Sequence, residues 1–154
     1  MQDEANWLAH DHRKYEAALA ECELAAGAGE WKEAVQRFRE FVEDFKLHMR
    51  MEDEVVYPLF AAQGDPDGAI ASLSDEHDTI VRLLRDLSYV IKRSDADHFL
   101  DSLPPLRRAM AEHNAHEETV FLGAGSDSVL LRRTEILARL DALQRQEGRQ
   151  AWDL

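Results

Sequence analysis

The stretch His48-Met49-Arg50-Met51-Glu52-Asp53-Glu54 and the stretch His113-Asn114-Ala115-His116-Glu117-Glu118 lie 65 residues apart, and each sets a histidine four residues ahead of a glutamate. The same offset carries Ala9-His10-Asp11-His12-Arg13 onto Ser74-Asp75-Glu76-His77-Asp78, so that His12 answers to His77. Four histidines and two glutamates thus follow one pattern, His…His-x-x-x-Glu, used twice. A fixed period means one supersecondary unit repeated. The side chains that recur are those that bind transition metals.

Around these residues run apolar stripes with steps of three and four. The first is Ala5, Leu8, His12, Tyr15, Leu19, Cys22, Ala26, and the second is Phe38, Phe41, Phe45, His48, Glu52, Val55, Leu59. The third is Ile70, Leu73, His77, Ile80, Leu84, Leu87, Ile91, and the fourth is Leu103, Leu106, Met110, His113, Glu117, Val120, Ala124. Such spacing marks the buried face of an amphipathic helix. First and third stripes superimpose at the 65-residue offset, as do second and fourth, which predicts a duplicated helical hairpin. Short connections make successive helices antiparallel neighbours, so the expected fold is all-α, an up-down-up-down four-helix bundle over residues 3–124. A fifth amphipathic helix is expected from about Asp127 to Gln146, within a single domain over 1–154. It either packs across the bundle or makes a homodimer contact.

Punctuation supports the boundaries. Gly27-Ala28-Gly29 ends the first helix, and Gly64-Asp65-Pro66-Asp67-Gly68 separates the halves. Ser94-Asp95-Ala96-Asp97 offers caps for the fourth helix. Pro58 predicts a kink or stop after it, and Pro104-Pro105 predicts a short separate turn before a helix that restarts at Pro104.

Formal net charge is -13, from 31 acidic and 18 basic residues, which argues against nucleic acid or an anionic membrane as partner. No apolar run approaches the roughly 18 residues of a spanning helix. No basic segment followed by an apolar stretch opens the chain, so no secretory signal is expected. One cysteine, Cys22, excludes an internal disulfide framework and fits a reducing, cytoplasmic setting.

His12, His48, Glu52, His77, His113 and Glu117 all take core positions on the stripes. Residues four apart are about 40° apart around a helix, so His48 and Glu52 project the same way, as do His113 and Glu117. Burying an unpaired carboxylate costs several kcal/mol. Cations would neutralise the cost, and ligation itself favours neutral imidazole and ionised carboxylate. Six donors exceed the four of a tetrahedral zinc. They suit two ions sharing carboxylates, with iron, manganese or zinc better matched than copper(I). A lone core histidine is usually only a hydrogen-bonded core residue; six such groups repeated at one offset are not explained that way.

The repeat sorts the other candidates. His10 corresponds to Asp75, His116 to Met51 and His98 to Glu33, so these three histidines are expected at the surface or behind the ligands. Glu118 and Asp53 point off the inward direction and suit a supporting role. Asp11, Glu76 and Asp78 are possible acceptors for ligand ring protons. Tyr15 reads as a core aromatic with a second possibility of reaching the centre, Cys22 as a small core residue, and Phe38, Phe41 and Phe45 as core.

Taken together, Asp11-His12, His48-x-x-x-Glu52 with Asp53 and Tyr57-Pro58, Glu76-His77-Asp78 and His113-x-x-x-Glu117-Glu118 resemble the hemerythrin-like family of HHE cation-binding domains. The resemblance spans roughly residues 5–124. It implies a four-helix bundle around two non-haem iron ions with carboxylate and oxo-type bridges, and His12, His48, Glu52, His77, His113 and Glu117 as the ligands. Leu73 stands where the oxygen carriers have a second histidine, which separates this chain from them. The four-histidine, two-glutamate set is similar to that of di-iron proteins of iron–sulfur cluster repair, although no cysteine precedes His12. The family resemblance implies a small ligand (dioxygen, nitric oxide or peroxide), with peroxide reduction or iron donation as the enzyme-like alternative.

Overall fold

Four long helices carry the chain: α1 (Trp7–Gly27), α2 (Trp31–Met51), α4 (Ala69–Lys92) and α5 (Ala96–Leu122). In this computed structural model, residues 6–123 and 129–147 are described. A π-helical turn (Glu52–Val56) joins α2 to a short α3 (Tyr57–Ala62), and a 3-10 turn (Val129–Arg132) leads into α6 (Arg133–Glu147). Among the described residues there is no strand. The stripe members Ala5 and Ala124, the expected bundle start near residue 3 and the expected helix start at Asp127 lie outside the described residues.

Helix α1 lies against α2 and α5, α4 lies against α5, and α2 touches α4, which closes the four into an all-helical bundle. Its interior divides into two apolar clusters. One gathers Leu19, Cys22, Phe38, Phe41, Phe45, Leu84, Phe99, Leu106 and Met110 toward one end. The other gathers Trp7, Leu8, Val55, Tyr57, Leu73 and Phe121 with Val129, Leu130, Ile136 and Leu140. Each fully buried Leu or Phe contributes roughly 1.5–3 kcal/mol. On every long helix the predicted metal-binding residues sit between the clusters: His12 between Leu8 and Leu19, His77 between Leu73 and Ile80, and His113 with Glu117 between Met110 and Phe121.

The two hairpins stop their first helices by the same device. At α1, Gly29 N–H bonds Ala26 O and Glu30 N–H bonds Ala25 O; at α4, Ser94 N–H bonds Ile91 O and Asp95 N–H bonds Val90 O. These are paired Schellman motifs at the 65-residue offset, with φ +80° at Gly29 and +55° at Ser94. A serine side chain is strained there and a glycine is not. Ser94→Gly is therefore expected to raise stability by about 0.5–1 kcal/mol, read as a higher denaturant midpoint with unchanged slope. Loss of stability on that substitution would mean the serine side chain is needed.

Two expectations about proline require correction. Pro104 and Pro105 do not set off a separate turn; they lie inside the continuous helix α5. Their missing N–H groups free only the carbonyls of Leu100 and Asp101, one turn from the helix start. The stripe Phe99, Leu103, Leu106, Met110 is buried on both sides of the prolines and holds the turns together. At Pro58 the irregularity comes ahead of the proline instead of after it. The Tyr57 N–H bonds Glu52 O, an i→i+5 bond, and the helix then runs on to Ala62. Widening this turn accommodates a ring that would clash with the carbonyl four residues back.

The C-terminal segment packs on its own bundle. Val129, Leu130, Ile136 and Leu140 cover the π turn and α1, and the Trp7 indole N–H donates to Leu130 O at 2.8 Å. Arg133 lies over the Trp7 ring, 5.5 Å from its centroid.

Candidate metal centre

His12, His48, Glu52, His77, His113 and Glu117 come from the four long helices and the π turn and meet in one layer, each no more than 4 % exposed. Helix periodicity brings His48 to Glu52 and His113 to Glu117; bundle packing brings the four histidines to the two carboxylates. The donor atoms fall into two groups. His12, His48, Glu52 and Glu117 form one and Glu52, His77, His113 and Glu117 the other, with the donors of each group within 4.8 Å of one another. Both carboxylates belong to both groups.

Their oxygens divide accordingly. Glu52 Oε2 lies 3.0 Å from His48 Nε2 and 3.7 Å from His12 Nε2, whereas Oε1 lies 3.0 Å from His77 Nε2. Glu117 Oε1 lies 3.0 Å from His12 Nε2, and its Oε2 lies 3.2 Å from His113 Nε2. Cis donors about 2.1 Å from one ion are about 3 Å apart, so these separations match the edges of a coordination polyhedron. His48 Nε2 and Glu52 Oε2, although 3.0 Å apart, are not in hydrogen-bonding alignment, and neither has another hydrogen-bond partner. Two buried donors aimed past each other are what a cation between them requires.

Ring tautomers point the same way. His77 Nδ1 meets Asp53 Oδ1 at 2.8 Å, His113 Nδ1 meets Glu76 Oε1 at 2.8 Å, and His12 Nδ1 meets Glu118 Oε2 at 3.0 Å. An imidazole donating from Nδ1 to a carboxylate presents a lone pair at Nε2. Yet the Nε2 atoms of His77 and His113 are 3.0 Å apart. Two facing lone pairs at that distance repel unless a proton or a metal ion lies between them. The charges agree. Burial alone would lower the His12 pKa, but its hydrogen bond to Glu117 and the nearby charge of Glu52 outweigh it and push it to about 10. Likewise against burial, Asp53 and Glu52 push His77 to about 9, and Glu117 and Glu52 push His113 to about 11. Burial raises Glu52, but His48 and the other facing groups hold it well below the usual carboxylate range. The facing carboxylates thus stabilise positive charge on the imidazoles of this layer.

The hemerythrin HHE cation binding domain model matches residues 3–124. The chain belongs to the hemerythrin HHE cation-binding family. No curated protein and no solved structure matched it. The two His/Glu groups of this HHE domain can hold metal, and none of its described helices is long and apolar enough to cross a membrane.

Some residues of this HHE domain lie where the stripes place them and others do not. His10 is exposed and apart from the centre, and His98 sits at the surface beside Asp95. His116 is behind His113, its Nδ1 2.7 Å from Glu76 Oε2. Glu118 and Asp53 hydrogen-bond the rings of His12 and His77. Glu76 supports His113 on the neighbouring helix instead of its own neighbour His77, and Asp11 and Asp78 support none of these rings. Tyr15, half-buried against the core, sets its ring at a tilt to Phe45 and His48, with centroids 5.4 and 4.9 Å away. Burial pushes its hydroxyl pKa up.

Tyr57 is the site residue that helical periodicity misses. In a regular helix, residue 57 would be about 140° around from residue 52. The i→i+5 turn brings it back over Glu52, and its hydroxyl donates to Glu117 Oε2 at 2.5 Å and lies 3.2 Å from His77 Nε2. Burial and the facing carboxylates push the phenol pKa far up, so it stays a donor. The available signal was Pro58, whose ring and missing N–H disfavour a regular turn just before it. Tyr57→Phe is expected to cost about 1–3 kcal/mol of folding stability by leaving a buried carboxylate oxygen one donor short. Chemical denaturation checks it; no change would mean the hydroxyl bond contributes nothing.

Proposed function

We propose that this protein is a non-haem di-iron protein, with one ion held by His12 and His48, the other by His77 and His113, and both bridged by Glu52 and Glu117. The single observation that carries this reading is the division of each carboxylate's oxygens between the two histidine pairs. A mixed nitrogen and oxygen donor set of this kind suits iron, with manganese or zinc as substitutes. The finer fold reading goes with it: an up-down-up-down bundle in one domain, capped by its C-terminal helix, in a reducing compartment compatible with the free, buried Cys22.

Iron, when bound, supplies redox chemistry and open coordination for a small ligand: dioxygen, nitric oxide or peroxide. The chain's own residues do the rest. Near-complete burial of the six donors restricts access to molecules of a few atoms and excludes bulk water. Asp53, Glu76 and Glu118 fix ring orientation, and Tyr57 holds Glu117 Oε2. Reduced, iron-loaded protein exposed in turn to dioxygen, nitric oxide and peroxide is expected to give a reversible change in its visible spectrum with at least one of them. Spectra unmoved by all three would refute the small-ligand role.

A further inference from the structure

The 65-residue repeat makes the two metal positions directly comparable. Adding 65 to Asp53 gives Glu118, and adding 65 to His12 gives His77, so the His77–Asp53 and His12–Glu118 hydrogen bonds are counterparts. The third support, Glu76 on His113, has Asp11 and His48 as its counterpart. That bond is missing. Asp11 is one methylene shorter than Glu76, and no carboxylate among the described residues hydrogen-bonds Nδ1 of His48. His48 is held by ring contacts instead, with Tyr15 at 4.9 Å, His12 at 5.2 Å and Phe45 at 5.9 Å. Glu76, by contrast, is itself anchored through its second oxygen to His116, whose counterpart is Met51.

We propose, on the basis of the dinuclear reading above, that the two positions fill in order, His77 and His113 first and His12 and His48 second. Glu76 and Asp11 are the positioning residues that set the gap. A carboxylate on the far nitrogen of a metal-binding imidazole fixes its tautomer, orients the ring and raises its basicity; losing one typically costs about 10–100-fold in metal affinity. The His77–His113 position has two such partners, Asp53 and Glu76. Among the described residues, the His12–His48 position has only Glu118, whose charge is shared with the Arg13 guanidinium. Repulsion between two cations weakens whichever binds second but does not select the order, because Glu52 and Glu117 are common to both. The supports select it.

Metal-free, full-length protein titrated with cobalt(II), followed by calorimetry and visible absorption, tests this. Two steps of one equivalent each are expected, the second weaker by about 10–100-fold. His48→Ala should keep a first step and lose the second. Glu76→Gln should weaken the first by about 10-fold or more. Asp11→Glu, a charge-conserving change at a partly exposed position, should tighten the second by about 10-fold and leave the first alone. A lost support would weaken binding in a merely structural account too, whereas a gain at Asp11→Glu would not arise there. Loss of the first step in His48→Ala, or an Asp11→Glu protein with both steps unchanged, would overturn the order while two bound equivalents kept the dinuclear reading intact. Absence of any cobalt binding by the unmodified protein would overturn both.

Discussion

Glu117→Ala is expected to abolish retention of both metal ions, because Glu117 offers one oxygen to each histidine pair. Loss of a ligand that served one ion would leave the other in place; loss of a shared one does not. Metal content should fall from about two per chain to well below one. A metal present at about 1,000 times its dissociation constant adds about 4 kcal/mol to folding stability, so the variant should forgo a metal-dependent rise in Tm on the order of 10 °C. Metal-free Glu117→Ala should also be weaker than metal-free parent by about 3–5 kcal/mol, since His12 and His113 lose a buried counter-charge. Glu52→Ala is expected to behave alike. His10→Ala, at an exposed position off the centre, should change neither metal content nor Tm. A His10→Ala protein that fails to hold metal while His12→Ala succeeds would invert the ligand assignment.

A pH series on metal-free and metal-loaded protein should separate the two forms in opposite directions. His12, His77 and His113 are held at about 10, 9 and 11 against an ordinary 6.5. Groups with raised pKa contribute stability that is complete below 6.5 and disappears as pH rises through 9–11. Glu52, held below its ordinary 4.5, contributes stability that is present above that value and is lost as pH falls. Metal-free protein is therefore expected to be most stable between about 4.5 and 6.5 and to weaken toward alkaline pH. Loaded protein needs these imidazoles neutral, so binding near neutral pH should release protons and affinity should rise with pH. Thermal melts of both forms, with proton release followed by a pH indicator, check this. A metal-free Tm that is level from neutral to strongly alkaline pH would contradict it.

Much of this molecule is legible in its sequence because one period governs both fold and site. The stripes that bury Leu8, Phe45, Leu73 and Met110 also carry His12, His48, His77 and His113, so counting along a helix finds the core and these buried histidines together. Where the local period changes, that counting fails. Tyr57 reaches Glu117 because the Glu52–Val56 turn is wider than an α-helical one, and a regular 3.6-residue count turns its side chain away. The prolines at 104 and 105 mislead for the opposite reason: buried Phe99, Leu103 and Leu106 hold a helix together where local propensity would break it. Hydrogen bonds between helices are also hidden from a one-dimensional reading. Nothing along the chain says that Glu76 supports His113 and not its neighbour His77, or that Asp11 supports neither of the rings nearby.

The claim on which the rest depends is that two metal ions share Glu52 and Glu117. Its most direct test is elemental analysis of protein reconstituted anaerobically with ferrous iron and freed of unbound metal. About two iron ions per chain are predicted, falling below one in Glu117→Ala. Recovery of less than about one ion per chain from the unmodified protein would contradict the account.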